Sequence, residues 1–128
     1  MQTFKISVLL IVLLIFANSL AAQSRKIKKA DGAYLAGEYF KASEMYTKLI
    51  PKAPNKVTKA ELEFKLAECY RKLNEPKKSE RWYSRAIKDR YQDPMALCYL
   101  ADAMKMNEKY ADALVTYEKF KELVPNDS

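Results

Sequence analysis

Small and aromatic residues recur along this chain in one arrangement that is repeated three times. The first small residue of each copy is Ala30, Ala67 or Ala101, which gives two nearly equal spacings. In every copy a second small residue follows at one fixed interval, and a tyrosine stands one helical turn beyond it, namely Ala42 and Tyr46, Ser79 and Tyr83, and Ala113 and Tyr117. A period of about 34 residues is typical of stacked helix-turn-helix units, in which small residues let paired helices approach closely. The pattern therefore predicts six helices and no strand.

The repeat resembles the tetratricopeptide repeat, or TPR. In the second copy Leu66-Ala67-x-x-Tyr70 stands at the family's Leu-Gly-x-x-Tyr positions, and Ser79-x-x-x-Tyr83 stands at its Ala-x-x-x-Phe positions. The resemblance implies an all-α fold, an α-solenoid of three TPR helix-turn-helix units. These units are expected at about residues 23–56, 60–93 and 94–127, within one domain over 23–128.

Local signals predict where helices begin and where they turn. Thr58-x-x-Glu61 has the form of a capping box, which predicts a helix start at Thr58. Asp93 followed by Pro94 predicts a second start. The turns inside the three units are expected at Gly37, Asn74 and Asn107, because glycine and asparagine tolerate the backbone that such turns require.

The first 22 residues form a segment of a different kind. Lys5 gives a positive start, residues 8–17 are an uninterrupted apolar run, and either Ser19-Leu20-Ala21 or Ala22-Gln23 offers small residues for cleavage. These are the three regions of a secretory signal peptide. The run covers ten residues, whereas a membrane-spanning helix needs roughly 20. Cleavage and export to the periplasm are therefore favoured, and an uncleaved membrane anchor is the alternative, since the basic segment 25–29 follows at once.

The chain is basic, with a formal net charge of +7, and Lys5 is the only charged side chain of residues 1–22. A basic surface attracts acidic proteins, anionic lipids or nucleic acid. The lysines are spread over every predicted helix, whereas a single-strand binder combines a basic groove with exposed aromatic rings. We therefore expect no nucleic-acid partner and only an indirect relation to the membrane.

Two cysteines, Cys69 and Cys98, lie on the predicted first helices of units two and three. An exported chain can keep a disulfide. In the repeat register, however, the two cysteines are offset by about five residues, roughly 7.5 Å of helix rise, which a disulfide does not span easily. Both states stay open, and two buried thiols are favoured.

Catalytic and cofactor motifs are missing from the sequence. It contains no histidine, only two glycines and no cysteine pair at metal-ligand spacing, so neither a metal site nor a glycine-rich phosphate loop is expected. No serine stands in a nucleophile-elbow motif. We therefore predict a protein that is not an enzyme and needs no cofactor.

TPR domains bind protein partners, usually in a concave groove lined by the first helix of each unit. The resemblance places these residues in the groove: Asp31, Tyr34 and Leu35, then Glu68, Arg71 and Lys72, then Asp102, Lys105 and Met106. One column is acidic in all three units, which disfavours the basic clamp by which chaperone-binding TPRs hold a carboxylate. Ion pairs within a helix, such as Glu68 with Arg71 and Asp102 with Lys105, are an equal alternative. Trp82 is a further candidate for contact, with packing between units as the favoured interpretation.

The segments Leu66–Leu73, Arg81–Ala86 and Val124–Asp127, with the basic segment 25–29, give a narrower resemblance. They are similar to the N-terminal TPR region of envelope proteins that continue into a β-propeller and a peptidoglycan-binding domain like that of outer-membrane protein A. Such proteins are linked to type IX secretion, which implies a non-catalytic scaffold that docks a protein of the envelope, in the periplasm or at the outer membrane. A membrane-tethered assembly factor or chaperone is the alternative.

Apolar residues on the last helix suggest that further chain, a partner or a second copy covers its outer face.

Overall fold

Six α-helices and one 3-10 turn follow one another in the computed structural model, which describes residues 1–125. The helices are α1 (Gln2–Leu35), α2 (Tyr39–Leu49), α3 (Lys56–Lys72), α4 (Pro76–Lys88), α5 (Met95–Met106) and α6 (Tyr110–Leu123), and the 3-10 turn is Ile50–Lys52. Residues 1–125 contain no strand. The predicted all-α fold with six helices is confirmed, while the last two residues of the predicted third unit, 126 and 127, lie outside the described residues.

The helices pack in chain order as three antiparallel pairs. Within the units α1 packs on α2, α3 on α4 and α5 on α6, and between the units α2 packs on α3 and α4 on α5. The predicted small residues lie at the crossings of the pairs, where each is at most 3% exposed: Ala30, Ala42, Ala67, Ser79, Ala101 and Ala113. Close approach of the helices explains why larger side chains are absent there.

Large side chains fill the space between the units. One core cluster joins Tyr46 of α2 to Leu62 and Leu66 of α3, and a second joins Tyr83 of α4 to Leu100 of α5. All of these side chains are buried. In units one and two, the small and aromatic columns of the repeat therefore belong to the hydrophobic core of the solenoid.

The start of α3 differs from the sequence-based prediction. Asn55 is the N-cap, and its side chain accepts a hydrogen bond from the Thr58 backbone N–H at 2.8 Å. Thr58 thus lies inside the first turn, and the prediction that it caps the helix is wrong, because Asn55 offers the extended backbone and acceptor that a cap requires. At α5 the predicted start is one residue early, because the helix begins at Met95 with Pro94 as its N-cap, although the Asp93 side chain accepts a hydrogen bond from the Met95 backbone N–H at 2.9 Å.

The turns inside the units need one residue with a left-handed backbone. Gly37 (φ 78°) and Asn74 (φ 56°) take this conformation as predicted, but in the third unit it falls on Glu108 (φ 63°). Asn107 lies in the third turn as predicted, but the left-handed residue is its neighbour Glu108, which corresponds to Asn74 in the repeat register. Asn107 instead joins two units, because its Nδ2 donates to the Pro76 carbonyl oxygen at 3.1 Å.

The apolar N-terminal segment and the first helix of unit one form a single helix, α1, of 34 residues. The helix has no break at residues 22–23, the predicted boundary of the signal peptide, and residues 1–21 are exposed. By length and composition α1 could cross a membrane, and a signal sequence near the N-terminus meets the same criteria. The prediction of cleavage stays a prediction.

The two cysteines are free thiols. Cys69 is fully buried, whereas Cys98 is half-buried. On α6, Leu114 is 60% exposed and Leu123 is also exposed, as is Val124 directly after the helix. What covers this face of α6 stays a prediction.

Candidate functional site

A carboxylate lies at the same place on the first helix of each unit and accepts a hydrogen bond from a tyrosine that follows it at one fixed interval. Each bond joins the second helix of a unit to its first helix. The pairs, which we call the carboxylate row, are Tyr46 with Asp31, Tyr83 with Glu68, and Tyr117 with Asp102. The acidic column predicted to face the groove is therefore engaged by the protein itself in all three units.

The three tyrosines of the carboxylate row are held as neutral hydrogen-bond donors. Burial, followed by the hydrogen bond to Asp31, raises the pKa of Tyr46 far above its usual range. Burial and the bond to Glu68 act on the pKa of Tyr83 in the same direction. For Tyr117, burial and the bond to Asp102 raise the pKa to about 12. All three hydroxyls therefore keep their protons at physiological pH.

Two of the three carboxylates also bind a cation. The Lys65 Nζ lies 2.9 Å from Oδ1 and 3.0 Å from Oδ2 of Asp31, which links unit two to unit one. Arg71 binds Glu68 through both oxygens, with Nη2 2.7 Å from Oε2 and Nε 3.0 Å from Oε1. The predicted pair of Glu68 and Arg71 is confirmed, and this fork geometry is the strong form of such a contact.

The third carboxylate differs from the other two. Within residues 1–125, no cation lies within salt-bridge distance of Asp102. The predicted pair of Asp102 with Lys105 is wrong, since Lys105 is exposed and makes no such contact. In unit two, Lys65 stands one helical turn before Glu68. In unit three, the corresponding residue one turn before Asp102 is Tyr99, so an aromatic residue replaces the lysine there.

An open pocket of about 360 Å³ lies on the concave side between units one and two. Four of the predicted groove residues line it, Asp31, Tyr34, Leu35 and Glu68, together with Tyr46, Phe64 and Lys65. The Leu35 side chain is 84% exposed at this site, and the Tyr34 hydroxyl reaches Glu68 Oε2 at 3.5 Å. The pocket thus combines apolar and aromatic walls with charges that are already paired.

The corresponding place between units two and three is filled. The Arg71 guanidinium lies 4.7 Å from the centre of the Tyr99 ring, and the remaining depression measures about 30 Å³, roughly the volume of one water molecule. Its lining includes the predicted residues Arg71, Asp102 and Met106. The predicted residues Lys72 and Lys105 are exposed and line neither depression.

Trp82 lies away from this pocket. Its half-buried ring packs against both core clusters, and the Arg85 guanidinium covers it 4.7 Å from the ring centre. Packing between units accounts for this tryptophan, as the favoured interpretation of the sequence had it.

Three residues that line the pocket were not predicted from the sequence, namely Tyr46, Phe64 and Lys65. A signal for two of them was present. Tyr46 follows Asp31 at the interval that separates the tyrosine from the acidic residue in the other two units. Lys65 stands one helical turn before Glu68, on the same face of its helix. Phe64 has no such signal, because only the packing of the units brings it to the pocket.

In residues 1–125 no group of three or more His, Cys, Asp or Glu side chains could hold a metal ion.

Among solved structures, the chain is similar to the crystal structure of the P58(IPK) TPR domain. The two are 21% identical with a TM-score of 0.73, and the match covers 90% of this chain and 32% of the other. The chain thus spans about a third of the length of that structure. No protein-family model and no curated protein sequence matches it. The likeness shows that the helical repeat has the fold of a TPR domain.

Proposed function

We propose that the chain is a non-catalytic scaffold that binds a protein partner in the pocket between units one and two. The supporting observation is that this pocket is open at about 360 Å³, whereas Tyr99 and Arg71 fill the next junction. A concave site with apolar walls is the usual form of a binding site. The almost fully exposed Leu35 gains most from such contact, since burial of apolar surface contributes about 25 cal/mol per Å².

The charges of the pocket favour an apolar side chain of the partner over a terminal carboxylate. The Lys65 ammonium is bound by both oxygens of Asp31, and the Glu68 carboxylate lies in the same wall. A peptide carboxylate would meet two acidic groups and one occupied cation. A leucine-sized or aromatic side chain would instead contact Tyr34, Leu35 and Phe64 without breaking an ion pair.

A photo-reactive amino acid at Leu35 tests this site directly. In cells, the probe at Leu35 should form one crosslinked product with a partner, and Leu35→Glu should abolish capture of that partner by affinity pull-down. Phe40 is the matched control, because it is exposed on α2 and lies outside the pocket. If Leu35→Glu and Phe40→Glu reduce capture equally, or neither reduces it, the pocket is not the binding site.

We further propose that the scaffold works in the periplasm, in association with the outer membrane, where it docks a protein of a secretion or envelope assembly such as type IX secretion. The support is the signal-like segment of Lys5, the apolar residues 8–17 and the small residues near Ala22. Mass spectrometry of the exported protein should find a new N-terminus near Ala22 or Gln23. A protein that keeps Met1 would overturn the cleaved form.

A membrane-tethered assembly factor or chaperone is the second candidate. The observation in its favour is the unbroken helix α1, which is long and apolar enough to cross a membrane. An N-terminal peptide that includes Met1, together with retention in membranes after alkaline extraction, would support this form. A processed N-terminus would eliminate it.

A further inference from the structure

Glu63 is a buried carboxylate in the middle of α3. It is 2% exposed, and its Oε2 has no hydrogen-bond partner within residues 1–125. Leu62 and Leu66 point to the cluster of α1 and α2, so Glu63 lies on the side of α3 that faces α4. An isolated buried carboxylate is costly in its charged form.

A lysine bridges this carboxylate to a second one at the end of α4. The Lys59 Nζ lies 3.9 Å from Oε1 of Glu63 and 3.4 Å from Oδ2 of Asp89. Lys59 is about half exposed, whereas Asp89 is largely covered. Two carboxyl groups thus share one partly solvated ammonium, which cannot neutralise both.

The charged groups around Glu63 come from α3 and α4. They are Lys59 on its own helix, Arg85 on α4 and Asp89 directly after α4. The residues that α2 and the 3-10 turn bury against α3 are uncharged, among them Leu49 and Ile50. Burial, then the charge of Asp89 and the hydrogen bond to it, raises the pKa of Glu63 to about 7, although Lys59 and Arg85 oppose this change.

Asp89 responds in the opposite direction. Burial raises the pKa of its carboxyl, but hydrogen bonding to Glu63 and Lys59 outweighs burial, so the pKa is lowered. The two directions favour a neutral Glu63 beside a charged Asp89.

The Lys59 bridge lies where the loop between α4 and α5 begins. After Asp89 the chain turns through Arg90, which has a left-handed backbone (φ 65°). The next ring, Tyr91, stacks on Phe64 of α3 with centres 4.2 Å apart and planes within 10°. The loop is thus attached to α3 at two points, the ion pair of Lys59 with Asp89 and an aromatic stack.

We propose that Glu63 and Asp89, bridged by Lys59, form a pH-dependent clamp, closed while the buried Glu63 is protonated and loosened when it ionises. The proton leaves to solvent and both carboxylates are then charged beside Lys59. The pKa of Glu63 is about 7 in the folded state and has its ordinary value of 4.5 in the unfolded state. Between pH 4.5 and about 7, the folded state therefore binds more protons than the unfolded state. Stability must therefore fall as the pH rises through this window. The clamp does not depend on what the pocket binds.

The chain permits a clear test, because it contains no histidine and one tryptophan, Trp82 on α4. Urea unfolding of the full chain in detergent, followed by Trp82 fluorescence, should give an unfolding constant that rises up to about a hundredfold from pH 5 to 8. Glu63→Gln should remove most of this rise. Glu61→Gln, an exposed control on the same helix, should keep it.

A second variant keeps the test decisive if Glu63→Gln does not fold. Asp89→Asn removes the neighbouring negative charge, so the midpoint of the pH dependence should move to lower pH. The proposal is overturned by a wild-type protein without this pH dependence, by an equal dependence in Glu63→Gln, or by an unchanged midpoint in Asp89→Asn.

Discussion

The hydroxyl of Tyr83 donates a hydrogen bond to Oε1 of Glu68 and thereby joins α4 to α3. Arg71 binds the same carboxylate at 2.7 and 3.0 Å, and Tyr34 of unit one reaches it at 3.5 Å. Glu68 is thus the point at which the helices of unit two meet unit one. The Glu68 carboxylate is thus occupied by contacts within the protein. The apolar part of the neighbouring pocket remains for a partner.

Removal of the Tyr83 hydroxyl tests this role of the carboxylate row. Tyr83→Phe keeps the buried ring and leaves Glu68 with Arg71, so the free energy of unfolding should fall by about 1–3 kcal/mol. Urea unfolding followed by Trp82 fluorescence measures the loss. Tyr91→Phe is the control, because its hydroxyl makes no hydrogen bond within residues 1–125. Equal losses in the two variants would contradict the prediction.

The repeat columns predicted the core but only part of the pocket. Ala67 and Ser79 must be small because two helices cross there, and that demand recurs in each unit, so spacing alone reveals it. Phe64 and Lys65 enter the pocket only through the packing of α3 on unit one, which no single unit displays. The prediction of the α3 cap was wrong for a related reason. Asn55 and Thr58 both suit a helix start, and the packed structure selects Asn55.

The core cluster should respond to truncation far more than the pocket rim. Leu66 is completely buried and Leu35 is 84% exposed. Leu66→Ala should therefore lower the free energy of unfolding by about 2–5 kcal/mol, because it leaves a cavity, and Leu35→Ala should change it by less than about 0.5 kcal/mol. Thermal unfolding followed by circular dichroism compares the two. A large loss in Leu35→Ala would show that Leu35 belongs to the core.

The two thiols should differ in reactivity. Cys69 is completely buried and Cys98 is half-buried. Burial and then the charge of Glu68 raise the pKa of Cys69 to about 12, so almost no thiolate forms at neutral pH. A thiol reagent should modify Cys98 in the native protein and reach Cys69 only after unfolding. Cys98→Ser should abolish the fast phase, and a fast phase that survives this change would refute the assignment.

The carboxylate row should make the fold sensitive to strong alkali. The tyrosines begin from an ordinary pKa of 10, and burial with hydrogen bonding raises the pKa of Tyr117 to about 12 and that of Tyr83 further. The folded state therefore holds these protons longer than the unfolded state, so their contribution is complete below pH 10 and is lost as the pH rises above it.

Tyr83→Phe removes one hydroxyl whose pKa differs between the folded and unfolded states. Between pH 10 and 12 its free energy of unfolding should fall less steeply than that of the wild type, by about 1.4 kcal/mol per pH unit. Urea unfolding at each pH measures the slopes, and phenolate absorbance of the native protein shows when the tyrosines ionise. Tyr110→Phe, an exposed control on α6, should leave the wild-type slope unchanged. Equal slopes in wild type and Tyr83→Phe would show that Tyr83 does not keep its proton in the folded state.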